Sequence, residues 1–357
     1  MSGVSLRLEL DRWRRHLVTV AESTPGIVPV AKGNGYGFGL PRLADEAQRL
    51  GAEAIAVGLP AEVVQVRDRF AGDIVIMMPW RPDDDLARTL LSDPRVLTTV
   101  SRVEDLAAIG SLAEELERSP RVIVEVLTSM QRHGIRAEDL AAVGDLLGAI
   151  DFQGWTIHLP LLDQGRYLEA ERLARAALAA APGTLWLSHL PTVDATTLAK
   201  QLGGAGRDPV PVRLRVGTRL WLGDPGSLST VATVLDVHPV RRGDRAGYRQ
   251  RRIGRDGWLV IMAGGTAQGV GLEAPTSASS SRQRLVALAQ GGLQATSRAL
   301  SPYTIAGKKR WFLEPPHMQS SLLFLPASVS PPRVGDEVPV ELRLTIATTD
   351  AVMLSAS

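Results

Sequence analysis

Residues 27–51, IVPVAKGNGYGFGLPRLADEAQRLG, join a short apolar run to an amphipathic run through a turn with glycine at positions 33, 35, 37 and 39. The first run is rich in β-branched residues, which favour a strand. The second repeats apolar residues at helical spacing. The stretch therefore predicts one β-strand followed by one α-helix.

The same alternation of runs continues to residue 222. Strand-like runs occupy residues 27–32, 54–57, 73–77, 95–100, 122–126, 153–158, 184–188 and 210–215, and helical patterns occupy residues 41–51, 60–70, 83–93, 101–119, 136–150, 165–181 and 192–204. Strict alternation implies right-handed crossovers and a parallel sheet. Eight units over about 200 residues predict an α/β fold of the (β/α)8 TIM-barrel type. An open doubly wound sheet is disfavoured because no G-x-G-x-x-G turn opens a helix.

The pattern changes after the barrel. Runs of alternating hydrophobicity at residues 229–240, 256–264, 321–329 and 337–349 are typical of strands. Residues 276–281 are small and polar and predict a loop, and residues 281–300 have helical spacing. We therefore expect a barrel domain over residues 1–222 and a β-rich C-terminal domain over residues 223–357.

Composition excludes several classes of protein. The 357 residues are 45% hydrophobic and 22% charged, which is typical of a globular protein with a large core. A net charge of +2 gives no overall nucleic-acid footprint, and no apolar run approaches the roughly 20 residues that span a bilayer. With no cysteine, thiolate metal sites and cysteine nucleophiles are excluded, and no metal is expected. The start lacks a secretory signal, so we expect a cytoplasmic protein without a membrane partner.

Lys32 stands out because lysine is rare in this chain. Only four of the 40 basic residues are lysines, and the other 36 are arginines. Lys32 ends the first predicted strand, and barrel enzymes place their active sites at the carboxyl ends of the strands. An amine in such a crowded site has a lowered pKa and can form a Schiff base. The alternative is a lysine that extends past the barrel rim into solvent.

Four further basic residues lie at the same predicted edge. Arg132 follows strand five, His158 ends strand six, His189 follows strand seven and Arg215 ends strand eight. The strands were assigned from apolar pattern alone, so this agreement supports a functional edge. Taken individually, each has a structural alternative, which for His158 is a hydrogen-bonded core histidine.

Six motifs occur in order along the chain. They are VPVAKGNGYGFGL (28–40), VEVLTSMQRHGI (124–135), GWTIHLP (154–160), LRVGTRLWLG (214–223), GDRAGYRQ (243–250), and PHMQ (316–319) with VGDEV (334–338). In that order they resemble the cofactor-lysine motif, the M-x-R-x-G segment, the histidine strand, the phosphate turn, the tyrosine segment and the closing motifs of the alanine racemase family. This family consists of barrel-type enzymes that use pyridoxal 5'-phosphate (PLP).

The resemblance implies how the cofactor would be bound. Lys32 would hold PLP as a Schiff base and act as one base. Tyr36 would contact the phosphate, together with backbone N–H groups around Gly217 and Thr218. Arg215 would face the pyridine nitrogen. Because arginine stays protonated, that nitrogen would stay unprotonated, which favours reprotonation at Cα over transamination.

The resemblance also implies a second base. Tyr248 would act opposite Lys32, since racemisation needs an acid–base group on each face of a planar carbanion. In the family this tyrosine reaches the partner subunit's active site, so a homodimer is implied, and His158 would link Tyr248 to Arg215. Without the resemblance, a glycine–tyrosine pair is typical of a turn. The seven arginines within residues 241–255 are likewise typical of a solvated face. One interleaved aromatic residue there disfavours nucleic-acid binding.

Two residues are implied in substrate binding. Arg132 would orient the substrate carboxylate or the phenolic oxygen of the cofactor, and the backbone of Met318 would help to hold the carboxylate. Glu125 occupies the place of a modified lysine in many relatives and would pair with Arg132. The alternative for Glu125 is an outward-facing strand residue.

Several positions depart from the family's pattern. Thr266 stands where a gating tyrosine is expected, Gln319 and Leu127 replace acids, and the chain ends at TTDAVMLSAS before the family's basic and aromatic tail. These changes predict a wider entrance and a substrate larger than alanine, or weak activity. We expect an amino-acid racemase. The alternatives are a secondary-metabolism racemase for a larger amino acid and a non-catalytic PLP-binding homologue.

Overall fold

The computed structural model describes residues 2–355 except 114, 117, 162–163, 205 and 273–298. The chain divides into two compact units. The barrel unit comprises Arg14–Gly35 and Gly39–Gly223, and the β-rich unit comprises the described residues up to Trp13, Tyr36–Phe38, and those from Asp224 onward. Residues before 14 and residues 36–38, which the sequence analysis assigned to the barrel, thus belong to the β-rich unit.

The first strand explains part of this difference. Strand β1 (Val4–Glu9) pairs antiparallel with residues Leu228–Ala232 and parallel with residues Ala351–Ser355. Both pairings join the start of the chain to residues that follow the barrel. Strand β1 was not among the strands predicted from sequence, because nothing local specifies partners so far away.

The barrel unit contains eight parallel strands. They are β2 (Ile27–Pro29), β3 (Ala54–Val57), β4 (Asp73–Ile76), β5 (Val96–Val100), β6 (Arg121–Val126), β7 (Asp151–His158), β8 (Leu185–Ser188) and β9 (Val212–Val216). The order is β2-β9-β8-β7-β6-β5-β4-β3, and an isolated parallel bridge joins Val30 to Ala56 between the two ends. The barrel is therefore nearly closed. This confirms the predicted (β/α)8 class.

Helices alternate with these strands. The α-helices are α1 (Leu10–Glu22), α2 (Leu40–Arg49), α3 (Val63–Val66), α4 (Asp85–Leu90), α5 (Val103–Ala113), α6 (Ala141–Gly144), α7 (Arg166–Ala180), α8 (Thr192–Gly203) and α9 (Thr218–Trp221). Short 3₁₀ turns span Gly35–Gly37, Pro60–Glu62, Ala137–Asp139, Leu147–Ala149, Pro225–Ser227 and Thr266–Gln268. The single helix expected over residues 136–150 is broken into three short pieces. Gly144 and Gly148 weaken helical continuity there.

Apolar side chains fill the barrel interior. Buried residues from successive strands, Val28, Val30, Ala54, Ala56, Val75, Leu97, Ile123 and Trp186, form one cluster. The barrel is thus a packed core, as expected for eight tilted strands. Functional side chains must therefore lie at its rim.

The β-rich unit is built on one large sheet. Its later strands are β10 (Leu228–Val240), β11 (Arg245–Ala246), β12 (Arg251–Arg252), β13 (Gly257–Ala263), β14 (Leu300–Ile305), β15 (Lys308–Phe312), β16 (Ser320–Pro326), β17 (Glu337–Pro339) and β18 (Ala351–Ser355). The sheet order is β14-β15-β16-β13-β10-β1-β18, with β17 also paired to β10, while β11 and β12 form a separate hairpin. The β-rich prediction is confirmed, although only Glu337–Pro339 of the strand expected at 337–349 forms.

Two expected features lie outside the described residues, namely the loop at 276–281 and most of the helical pattern at 281–300. Across the ranges that are described, no helix combines the length and apolar character needed to cross a membrane. In the same ranges no group of three or more histidine or acidic side chains is arranged to hold a metal ion.

Candidate active site

Lys32 follows β2 at the carboxyl end of the barrel. Its side chain is exposed. Partial burial by the surrounding walls lowers the pKa of Lys32, and the cations Arg132 and Arg215 lower it further, while Glu62 opposes them. Gly33 and Gly35 have φ values of +60° and +62°, so this turn requires residues that tolerate the left-handed region. The sequence thus places an amine of lowered pKa next to a tightly defined loop.

Glu62, which is not among the site residues predicted from sequence, fixes that loop. The residue is 7% exposed, and its carboxylate accepts hydrogen bonds from the backbone N–H of Gly33 (2.8 Å), Gly58 (2.6 Å) and Leu59 (3.2 Å). The loops after β2 and β3 are therefore joined through one side chain. Sequence pattern gives no signal for this role, because the partners are backbone groups.

Arg215 lies near the end of β9, 8% exposed. Its Nε and Nη2 atoms are buried, and no hydrogen-bond partner for them lies within the described ranges. Burial lowers the pKa of Arg215 to about 10, with Glu125 opposing that shift and Arg132 adding to it. The guanidinium is still charged at neutral pH. Two orphaned donors of this kind require an acceptor, because unpaired buried donors cost free energy.

His158 ends β7 beside these cations. Burial, followed by Arg215 and Arg132, lowers the pKa of His158 to about 2, so its imidazole is neutral at physiological pH. Its ring meets the ring of His189 edge-on, with centroids 5.0 Å apart. His189 follows β8 with a φ of +63°, a backbone conformation that side chains other than glycine adopt rarely.

Glu125 is the buried carboxyl of this edge. It lies in β6, 4% exposed, and burial raises the pKa of its carboxyl against the opposing effects of Arg215 and Arg132. Within the described residues it forms no ion pair with Arg132 at bonding distance, and Arg215 has the larger electrostatic effect on it. Arg132 itself is exposed in the loop after β6. Glu125 thus faces the site and is not the outward strand residue that was the alternative.

Gly217 and Thr218 form the turn between β9 and α9. The Gly217 carbonyl accepts hydrogen bonds from Leu220 N (2.9 Å) and Trp221 N (3.0 Å). The buried Trp221 indole donates from Nε1 to the Val30 carbonyl at 2.7 Å. This contact ties the turn to the segment that leads into Lys32. First-turn amides have no partner within their own helix, which suits an anion.

The barrel edge therefore carries more positive than negative side chains, which suits an anionic ligand. Lys32, Arg132 and Arg215 face Glu125 and Glu62, and His158 adds no charge. These residues come from the carboxyl ends of five strands, β2, β3, β6, β7 and β9, which is how a barrel assembles a site from distant parts of its sequence.

The β-rich unit holds the remaining predicted residues. Tyr248 lies at the tip of the β11–β12 hairpin with 84% of its surface exposed, and Met318 is 72% exposed. Thr266 and Gln319 are also exposed. Thr266 lies next to the Met318 segment, because its N–H donates to the His317 carbonyl at 2.9 Å. We call Tyr248, Thr266, Met318 and Gln319 the Tyr248 face. Two large apolar side chains exposed on it suit a surface that meets another surface.

Tyr36 also belongs to the β-rich unit. It is 7% exposed and has a φ of +55°, the only non-glycine residue among the left-handed positions between 33 and 39. Its contact with a phosphate stays a prediction.

Comparison with known proteins identifies the family. A profile of the alanine racemase N-terminal domain matches residues 8–193, more than half of the chain. The chain belongs to the alanine racemase family. Family members of known sequence include the alanine racemase of Mycolicibacterium vanbaalenii, 28% identical over 287 residues, which cover 74% of this chain and 72% of that protein. The alanine racemase of Corynebacterium efficiens is 27% identical over 299 residues, 76% of this chain and 77% of the relative.

Solved structures of the alanine racemase family share the fold. The alanine racemase from the D-cycloserine producer Streptomyces lavendulae matches with a TM-score of 0.71 and 17% identity, over 100% of this chain and 98% of its own. That of Bartonella henselae, a structure with covalently bound pyridoxal phosphate, matches with a TM-score of 0.71 and 15% identity, over 99% of this chain and 100% of its own. The resemblance expected from the six motifs is confirmed at the level of family and fold.

Proposed function

We propose that this chain is a PLP-dependent amino-acid racemase, with Lys32 and Tyr248 as the two groups that remove and return the Cα proton. The observation that carries the proposal is the barrel edge itself. It combines an amine of lowered pKa at Lys32 with a buried Arg215 guanidinium whose Nε and Nη2 have no hydrogen-bond partner among the residues that the structure describes. Membership of a family whose named relatives are alanine racemases supports the same reading.

The residues present fit PLP. Lys32 would hold its aldehyde, and the orphaned Arg215 donors would meet the acceptor nitrogen of its ring. Tyr36 and the amides of Gly217 and Thr218 would hold the phosphate, and His158 would lie beside Arg215 as a neutral group. When bound, the cofactor withdraws electrons from the substrate Cα and so makes its proton removable.

Arg215 determines which reaction follows. An arginine has only donors and keeps its charge, so it has no proton to give to the ring nitrogen at neutral pH. The resulting weaker electron withdrawal favours return of a proton to Cα over transamination.

Two residues would move that proton. Lys32, whose amine is more easily deprotonated than an ordinary lysine, would serve one face of Cα. Tyr248 would serve the opposite face. Arg132 and the backbone of Met318 would hold the carboxylate so that Cα lies between the two groups.

We further propose a homodimer in which Tyr248 and Met318 of the partner subunit complete each site. The exposure of both side chains supports this arrangement. In a twofold dimer, whatever one subunit contributes to its partner's site the partner contributes in return, so two identical sites would form.

Complementation tests the function and the sharing of sites together. The PLP-loaded wild-type protein should interconvert L- and D-alanine, or a larger amino acid, and Lys32→Ala and Tyr248→Phe should each abolish this. Co-expression of the two variants should restore about a quarter of wild-type activity, because half of the dimers carry one intact site of two. No restoration would contradict a shared site, and an inactive wild type would contradict the function.

A further inference from the structure

The Tyr248 side chain has a specific support in the β-rich unit. Its ring lies 4.4 Å from the His317 ring, centroid to centroid, with 38° between the planes. Otherwise the tyrosine is 84% exposed at the tip of a short hairpin. A side chain this exposed would sample several rotamers unless a neighbour restricted it.

His317 is itself held by a buried carboxylate. Nε2–H of His317 donates to Oε1 of Glu314 at 2.7 Å, and Glu314 is only 4% exposed. The backbone of the same segment is fixed at both ends, since His317 N donates to Ser320 O at 2.8 Å and His317 O accepts from Thr266 N at 2.9 Å. The imidazole therefore has one orientation rather than many.

Glu314 also supports the backbone turn that carries Tyr248. It accepts hydrogen bonds from the N–H groups of Tyr248 (3.1 Å) and Arg249 (3.5 Å). The preceding Gly247 has a φ of +77°, and a Cβ there would come within 2.3 Å of a Glu314 oxygen. The turn thus lies directly against the carboxylate, and any larger residue at position 247 would displace the Glu314 side chain.

The carboxylate stays ionised in this setting. Burial by itself raises the pKa of Glu314, but the hydrogen bonds from His317, Tyr248 N and Arg249 N more than offset it, so its pKa lies below the ordinary value. Bonds to a charged acceptor are stronger than neutral ones, which makes the support stiff.

We propose that Glu314 and His317 are positioning residues for Tyr248. Glu314 fixes the turn through its hydrogen bonds to the N–H groups of Tyr248 and Arg249. His317, oriented by Glu314, packs against the phenol ring. This role rests on the proposed function, in which the Tyr248 hydroxyl exchanges a proton with Cα. A displacement of about 1 Å at such a group costs as much as a hundredfold in rate.

The test separates positioning from general damage. Solvent deuterium can enter Cα with retention of configuration through Lys32 alone, whereas inversion needs Tyr248 as well. In PLP-loaded protein, His317→Ala should lower inversion about ten- to a hundredfold while exchange with retention stays within about twofold. Tyr248→Phe, which removes the hydroxyl itself, should give the largest loss of inversion, and the other variants are compared with it. His317→Phe, which keeps a ring beside the phenol but loses the Glu314 bond, should lie between His317→Ala and wild type.

Two further variants complete the design. Glu314→Gln keeps a hydrogen-bond acceptor but loses the charge, and we expect it to shift the ratio of inversion to retention in the same direction as His317→Ala. His238, an exposed histidine that is also paired with an acid (Asp236, 3.3 Å), provides the control, and His238→Ala should keep the wild-type ratio.

The outcomes are distinguishable. An unchanged ratio in His317→Ala and His317→Phe would overturn the positioning role. So would a proportional fall of both exchanges, which indicates lost cofactor or fold. If wild-type protein shows neither exchange nor inversion with any amino acid, the racemase function fails first and the positioning role fails with it.

Discussion

Oε1 of Glu62 accepts a 2.8 Å hydrogen bond from the backbone N–H of Gly33, the residue that follows Lys32. The other carboxylate oxygen binds the amides of Gly58 and Leu59, which follow the neighbouring strand β3. One buried side chain therefore sets the distance between two loops at the barrel edge. The position of the proposed Schiff-base lysine depends on an acid 30 residues further along the chain.

Replacing Glu62 should loosen this edge. In Glu62→Ala, three backbone donors lose their acceptor, which should cost about 1–3 kcal/mol of unfolding free energy. PLP affinity should fall about tenfold or more, because the Lys32 amine is no longer held in place. Absorbance titration with PLP and urea denaturation measure the two effects. Glu53→Ala is the control, since Glu53 precedes β3 at the opposite end and is paired with Arg213. Unchanged PLP affinity in Glu62→Ala would contradict the positioning.

Arg215 should control the choice between racemisation and transamination. Arg215→Glu would offer the ring nitrogen an acid, so electron withdrawal should increase, racemisation should fall about tenfold or more, and pyridoxamine 5'-phosphate should accumulate. Arg215→Lys keeps a cation and should keep the wild-type partition between the two reactions, with lower activity. Absorbance of the two cofactor forms during turnover with an amino acid reports the partition. Equal partition in both variants would argue against Arg215 facing the nitrogen.

The cofactor-free protein should show the lowered pKa of Lys32 in its stability. The unfolded chain, with an ordinary pKa of about 10.4, binds this proton more tightly than the folded chain does. Stability should thus rise with pH from the lowered folded pKa up to the unfolded one. Lys32→Met should be more stable than wild type at neutral pH, and the difference should disappear at alkaline pH.

Thermal unfolding at a series of pH values measures this difference. Lys200→Met is the control, because Lys200 is an exposed lysine on α8, away from the barrel edge that surrounds Lys32. A Lys32→Met variant that is less stable than wild type at neutral pH would show that the amine is not destabilised by its surroundings.

The Tyr248 face should influence which substrate is accepted. Thr266 and Gln319 are exposed there in place of a larger and a charged side chain, so we expect amino acids larger than alanine to turn over faster, as judged by kcat/KM. Thr266→Tyr should shift preference toward alanine by about tenfold, a typical effect of steric change in a pocket. Ser229→Tyr, on β10, controls for adding an aromatic ring to the same unit. Wild-type protein that prefers alanine over every larger amino acid would refute the wider entrance.

The barrel could be predicted from sequence because its signals are local. Each of the eight strands coincides within three residues at either end with an apolar run, since a parallel strand buried on both faces must be continuously apolar. Lys32, His158 and Arg215 then fall at one edge by topology alone. Residues 136–150 have apolar residues at helical spacing, which predicts one helix. Two glycines interrupt that helix in the structure, so apolar spacing alone does not show where a helix is continuous.

The features that could not be predicted from sequence depend on contacts between distant residues. Strand β1 finds partners more than 200 residues away. Glu62 acts through backbone amides, which leave no pattern in a sequence. The support of Tyr248 by Glu314 spans 66 residues and is visible only once the hairpin and the later turn are folded together.

The central claim is that Lys32 and Tyr248 act on opposite faces of Cα. The most direct test of this claim uses the PLP-loaded protein and each enantiomer of a substrate in deuterated water. Chiral separation followed by mass spectrometry then measures how much deuterium has entered Cα of each enantiomer. We predict that deuterium enters both enantiomers with inversion, that Tyr248→Phe retains exchange of one enantiomer without inversion, and that Lys32→Ala shows neither. Equal inversion by wild type and Tyr248→Phe, or no exchange at Cα with any amino acid, would contradict the claim.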